Sequence, residues 1–190
     1  MNVMWVVRLY LLAGLVIHKA IWELLKRRTA DSRSPVSSAV KIVKLGKIAI
    51  LLAIIVQTLT LADILPISRD PLSLRAFGVI MYTAGLLVAI WGRLQLGTNW
   101  SDIETPQVGQ QQEVVSNGIY RYIRHPIYAG DLLLLFGLEL ALNSWLVLAI
   151  VLLAPVVLRR AVLEEKLLAK RLRGYDSYAQ RTKRFIPFVV

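Results

Sequence analysis

Cysteine is missing from the chain altogether, which removes disulfides, thiolate nucleophiles and thiolate metal sites from consideration. Acidic residues are scarce as well: 12 Asp and Glu stand against 23 Lys and Arg, for a formal net charge of +11. Charge of either sign is thin, at 18% of the 190 residues, while 56% are apolar and the mean hydropathy is +0.58. A soluble domain of this length is more polar, so much of the surface is expected to face lipid. Nucleic-acid binding would need a basic face on a soluble body, and no such body is visible. Cations flanking apolar runs fit connections that lie beside anionic lipid.

What is present is a series of apolar runs. They cover about residues 4–25, 45–65 (closed by Pro66), 74–96, 127–142 and 145–158. The first three are long enough to cross roughly 30 Å of hydrocarbon. The last two are short, separated by Asn143 and Ser144, and read as a tight helical hairpin. No small-residue cleavage site follows the first run, so it is expected to be a retained span. The expected fold is all-α and polytopic, with five transmembrane helices and a C-terminal amphipathic cytosolic helix. Lys26, Arg27, Arg28, Arg33, Lys41, Lys44 and Lys47 fill the first connection, and the segment after residue 158 is equally basic. Five crossings with an external N-terminus place both in the cytosol.

Gly78, Gly85 and Gly92 recur every seven residues in the third span, with Ala89 on nearly the same face. Such a row predicts a seam where another helix approaches closely. Asp131 and Glu139 lie inside the fourth span, and ionisable groups at membrane depth are functional candidates. Asp131 is one turn from the cytosolic end, and Glu139 is near the opposite end.

The polar residues gather in two cytosolic stretches. In the first, Asn117-Gly118 is a turn signal, followed by Tyr120, Arg121 and Tyr122 and then Arg124-His125. Pro126 suits the first position of a helix, where its missing N–H costs nothing. His125 is then expected near the helix start with Tyr128 one turn in. In the second stretch, Leu163, Leu167, Leu168, Leu172 and Tyr175 have the spacing of a helix lying along the membrane surface. Glu164 and Glu165 are the only acids between Arg159 and Arg173. Neighbouring helical residues diverge by about 100°, so the two can flank one groove without sharing a face. An Arg160–Glu164 pair is one use for an acid here; a ligand carrying its own positive charge explains two acids better. Gly174 is expected to end this helix. Tyr175, Tyr178, Arg181, Arg184 and Pro187 follow at three-residue intervals, near one face of a further turn.

Residues 97–187 closely resemble the isoprenylcysteine carboxyl methyltransferase family of integral membrane enzymes, in its prokaryotic form. The matching pieces are Gly97-Thr98-Asn99-Trp100-Ser101, Val114-Val115 to Gly118-Ile119-Tyr120, and Arg124-His125-Pro126-Ile127-Tyr128-Ala129-Gly130. Arg160 ahead of Glu164-Glu165, and the closing run Gly174-Tyr175, Tyr178, Arg181, Arg184-Phe185-Ile186-Pro187, complete the match. The resemblance implies an S-adenosylmethionine-dependent methyltransferase without a Rossmann fold, and no GxGxxG motif is present. Carried over by position, cofactor contacts fall on Val115, Gly118, Tyr120, His125, Tyr128, Glu164 and Glu165. The substrate-side arginine falls on Arg181, which with Glu164 makes the catalytic pair; no metal is implied. Asp131 departs from the family pattern, where an apolar or small residue is usual.

That resemblance implies one domain over residues 1–190, with a variable two-helix part at 1–66 and a catalytic core at 74–190. It implies a lipidic or prenylated acceptor, a small molecule or a protein C-terminus, and a site facing the cytosol from the inner membrane of a prokaryote. A terminal carboxylate, with a pKa of about 3.5, is already an anion at neutral pH and needs no base. Arg181 can hold it bidentately, while Glu164 or Glu165 binds the cofactor's α-ammonium. The alternatives are N-methylation of a phospholipid or other amine, which needs a base, a sterol-type reductase using NADPH, and a membrane scaffold without catalysis.

Overall fold

The computed structural model describes residues 3–27, 38–60, 62–99 and 112–187. Among the described residues the secondary structure is six α-helices with two short 3-10 turns and no strand. In chain order these are α1 (Val3–Arg27), α2 (Ser38–Leu59), α3 (Leu72–Leu96), α4 (Pro126–Ala141), α5 (Val147–Arg171) and α6 (Tyr175–Arg181). Val3–Leu25 and Leu72–Leu96 are long and apolar enough to cross a membrane by length and composition. Two of the five expected spans therefore meet that test; α4, with 16 residues, covers only about 24 Å. Trp100 and Ser101 of the matched motif, and Arg28 and Arg33 of the basic connection, lie outside the described residues.

The α3–α4 pair is the frame. A Cβ added at Gly78 would run into the backbone of Ala141, and one at Gly85 into the backbone nitrogen of Leu134. The approach is reciprocal: Gly130 faces the Ala89 backbone and Gly137 the Tyr82 backbone. The predicted seam is thus two-sided, and helices lacking side chains at the contact lock at close range. Around it pack Leu86, Leu134, Leu138, Ala141 and Leu142, with Leu11 brought in from α1. Tyr82 fixes that third helix by donating its hydroxyl to the Leu11 carbonyl at 2.6 Å.

At the end of the bundle away from His125, polar groups replace the apolar packing. Asp63 accepts from Arg75 at 2.6 Å and from the Asn143 amide at 2.9 Å, with Arg8 at 3.5 Å. Arg8 also donates to the carbonyls of Gln57 and Thr58. Asn143 holds the tight α4–α5 turn at a φ of +56°, a conformation that Asn tolerates better than most residues. Glu139, near this end, accepts from Gln57 at 2.8 Å. Its α-carbon is about 21 Å along the helix axis from that of His125, so it belongs to this cluster.

One expectation needs correction. The amphipathic segment does not form a separate helix on the membrane surface; it continues α5, which runs unbroken for 25 residues from Val147. Residues 159–171 are almost all strong helix formers, so nothing stops the helix where the apolar run ends. Pro155 sits inside α5 without ending it. Gly174, at a φ of +81°, makes the turn between α5 and α6. α6 stops at Arg181, so Arg184 and Pro187 lie beyond it and not on a helical face.

Candidate active site

Pro126 occupies the first turn of α4 and His125 is its N-cap residue, with no side-chain cap hydrogen bond. The imidazole is therefore not spent on the helix. It lies almost parallel to the Tyr128 ring, with centroids 5.3 Å apart, and Phe185 approaches at 5.7 Å. Nε2 is 3.2 Å from Glu165 Oε1, and Nδ1 is 4.0 Å from Glu164 Oε2. The two glutamates thus flank one groove, as their divergence on α5 requires, and the histidine occupies its middle.

Their surroundings differ. Glu165 also accepts from Arg124 Nε at 2.8 Å and Arg184 Nε at 3.0 Å, and its side chain is 12% exposed. Burial disfavours the charged carboxylate, but hydrogen bonds from His125 and Arg124, the Arg124 charge and the Arg184 bond outweigh it. They hold the group at about 2, well below the ordinary value. Glu164 is turned to Tyr128 rather than Arg160: the tyrosine hydroxyl donates to Oε2 at 2.6 Å. Its Oε1 has no hydrogen-bond partner among the described residues, and the side chain is 33% exposed.

The chain ends of this region close over the site. Arg124 N and His125 N donate to the carbonyls of Lys183 and Arg184 at 2.7 and 3.0 Å, and Lys183 N returns a bond to Tyr122. Arg124 further donates to the Ala179 and Thr182 carbonyls. Tyr178 donates to the Tyr120 carbonyl at 2.9 Å; burial raises its hydroxyl to about 12, so it stays a donor at neutral pH. Burial raises Tyr120 too, reinforced by Tyr178 and the Glu164 charge. Val115 packs on Ile119, Tyr120 and Ile123. Gly118, at a φ of +53°, leaves the space that the Gln95 side chain fills, and Gln95 Oε1 accepts from Ile119 N at 2.8 Å. A side chain at 118 would meet both a strained backbone and that amide.

Of the residues singled out from the sequence, His125, Tyr128, Glu164 and Glu165 touch one another, and Tyr120 feels the Glu164 charge. Val115 and Gly118 shape the wall behind Tyr120. Arg181 stands apart. It is exposed, donates to the Ser177 carbonyl, and lines an open cleft of about 410 Å³ with Arg124, Lys183 and Arg184. The holding of Glu165 by Arg124 and Arg184 was not anticipated, nor was the contact of His18 Nε2 with Asp131 Oδ1 at 2.9 Å. The unusual acid at 131 was the one available signal for the second. Among the described residues no group of acids and histidines is fit to hold a metal ion.

A cofactor bearing a sulfonium and an α-ammonium needs an acid with a spare oxygen, and Glu164 has one. Glu164, Tyr128 and His125 fit that group, with Val115, Gly118 and Tyr120 as the adjoining wall.

A glycine-locked pair of apolar helices with an acid-flanked imidazole at one end is the frame and the candidate site of this all-α fold. The chain belongs to the phospholipid methyltransferase (PEMT) family, whose profile matches residues 74–173, over half of its length. It shares its fold with the eukaryotic intramembrane Ras methyltransferase ICMT (isoprenylcysteine carboxyl methyltransferase), at a TM-score of 0.64 and 18% identity. That match covers 98% of this chain and 67% of the other. A probable protein-S-isoprenylcysteine O-methyltransferase of Oryza sativa subsp. indica is 23% identical over 136 residues, 70% of this chain and 71% of that protein. The nickel-cobalt-cadmium resistance protein NccN of Alcaligenes xylosoxydans xylosoxydans is 32% identical over 126 residues, 64% of this chain. The chain matches about half of that relative's length, 52%. The likeness to the isoprenylcysteine family read from the motifs is thus met in both fold and relatives.

Proposed function

We propose that this chain transfers a methyl group from S-adenosylmethionine to the polar head of a lipidic acceptor at the membrane interface, with its site facing the cytosol. The observation that carries this is Glu164: a carboxylate beside His125 and Tyr128 with one oxygen open, suited to the cofactor's ammonium. The cofactor supplies an electrophilic methyl group. Tyr128 aims Glu164, and Glu165, bound by Arg124 and Arg184, keeps His125 in place. The protein's task is alignment and water exclusion, which can contribute several kcal/mol. Residues 1–190 act as one domain, with residues 74–190 as the catalytic core.

Carboxyl O-methylation of an isoprenylcysteine-like or other prenylated acid is supported by the rice relative and by the cationic cleft that Arg181 lines with Lys183. A carboxylate there needs no base, and the Arg181 fork suits it. N-methylation of a phospholipid or other amine is supported by a different feature, the Asp131 carboxylate one turn beyond Tyr128 on α4. Mass spectrometry of products from purified protein, labelled cofactor and both acceptor classes tests the proposal; absence of methylated product with every acceptor overturns it. Arg181→Ala separates the classes, abolishing carboxyl methylation and sparing amine methylation.

A further inference from the structure

Ile119 is the second residue of the 3-10 turn Gly118–Arg121, and the first N–H groups of a helical turn find no carbonyl within it. Asn117, the N-cap residue, makes no side-chain bond to the turn. The partner of the Ile119 N–H comes instead from 24 positions earlier. Gln95, the last residue but one of α3, presents Oε1 at 2.8 Å. The same amide lies over the α-carbon of Gly118, in the place a side chain there would take. Gln95 thus caps the turn from another helix, and the glycine of the Asn117-Gly118 pair gives it room.

This contact joins the two sides of the candidate site. Three residues before Gln95, a Cβ on Gly92 would come within 3.1 Å of the Pro126 ring, which opens α4 directly after His125. Leu96, the residue after Gln95, packs with Val115 on the cluster of Ile119, Tyr120 and Ile123. The last turn of α3 therefore touches both the helix start beside His125 and the wall made by Val115, Gly118 and Tyr120. Apolar contact is non-directional, so packing alone leaves that wall free to slide. The directional ties are two: Gln95 on the Ile119 N–H, and Tyr178, whose hydroxyl donates to the Tyr120 carbonyl at 2.9 Å.

We propose that Gln95 is a positioning residue for the cofactor: its amide holds the wall of Val115, Gly118 and Tyr120 in register with Glu164. It governs cofactor affinity without touching the reacting groups, because a binding site works only when its parts are held to within about 0.5 Å. This rests on the methyltransferase proposal and adds to it a residue outside the motifs that suggested it.

The test uses the full-length protein in detergent, titrated calorimetrically with S-adenosylmethionine, with thermal unfolding and hydrogen exchange at Ile119 measured alongside. Gln95→Met keeps the length of the side chain and loses the acceptor. It should speed exchange at Ile119 and weaken cofactor binding about three- to tenfold, as loss of one neutral hydrogen bond predicts, with a melting temperature within about 4 °C of wild type. Gln95→Glu, which still offers an oxygen to Ile119, should recover most of that affinity. Gly118→Ala, whose methyl group runs into the amide, should also weaken binding. Gly118→Ala combined with Gln95→Ala should lose less than the product of the two single losses, since the clash is gone. Cofactor affinity within about twofold of wild type in Gln95→Met, or single losses that multiply in the combined variant, overturns the role of Gln95 and leaves the methyltransferase proposal standing. Wild type that binds no cofactor overturns both.

Discussion

Glu165 Oε1 lies 3.2 Å from His125 Nε2, and the same carboxylate also takes bonds from Arg124 and Arg184. Glu164, the adjacent residue, has one hydrogen-bond donor among the described residues, the Tyr128 hydroxyl. Two glutamates next to each other in sequence thus divide the work. Glu165 takes three donors and ties α4, α5 and the segment after α6 together, whereas Glu164 is the acid proposed to meet the ligand. Different outcomes follow for their replacement.

Glu164→Gln should weaken S-adenosylmethionine binding by roughly 10- to 100-fold, the loss of one charged hydrogen bond of about 1.5–3 kcal/mol. Its melting temperature should stay close to wild type, because Tyr128 can donate to an amide oxygen as well. Calorimetric titration in detergent measures the first and thermal unfolding the second. Cofactor affinity equal to wild type would remove Glu164 from the binding site.

Glu165→Gln should instead unfold the region. It leaves the largely buried Arg124 guanidinium beside a neutral amide, and breaking a buried charge pair costs about 3–5 kcal/mol. Arg184→Ala, which removes a half-exposed partner, should cost under about 1 kcal/mol. A chemical-denaturation series comparing the two variants decides the ranking.

Acid should act through the same carboxylate. Its folded-state pKa of about 2 lies below the ordinary value of 4.5, so its contribution to stability is complete above pH 4.5. That contribution, about 3 kcal/mol by linkage, is lost as pH falls from 4.5 toward 2. The stability gap between wild type and Glu165→Gln should narrow over that window and stay constant above it. A gap independent of pH down to 3 would mean that Glu165 is not held as an anion.

Gly85→Val should be among the most damaging apolar substitutions in the chain. Even a Cβ at this position meets the backbone of Leu134, so α3 and α4 must separate. Overpacking of this kind costs about 1–3 kcal/mol, and more where backbone must move. Gly46→Val, at a glycine with nothing near its Cβ direction, is the control and should leave the melting temperature within a few degrees.

The parts of this structure that were legible in the sequence are those with a local or periodic signature. Gly78, Gly85 and Gly92 announced a seam by their spacing, and Pro126 marked the start of α4 and so placed His125. Adjacent Glu164 and Glu165 had to diverge on any helix. What could not be read depends on distant partners. Arg124 reaches Glu165 across 41 positions, and His18 reaches Asp131 across 113. No window along the chain contains both members of either pair. The α5 boundary was misplaced for another reason: a change from apolar to charged composition marks where lipid ends, while a helix made of Leu, Ala, Arg, Glu and Lys simply carries on.

The glycine seam separates what the molecule can vary from what it must keep. Because α3 and α4 meet backbone to backbone at Gly78, Gly85, Gly130 and Gly137, those four positions admit no larger side chain, and the base of the site behaves as a fixed chassis.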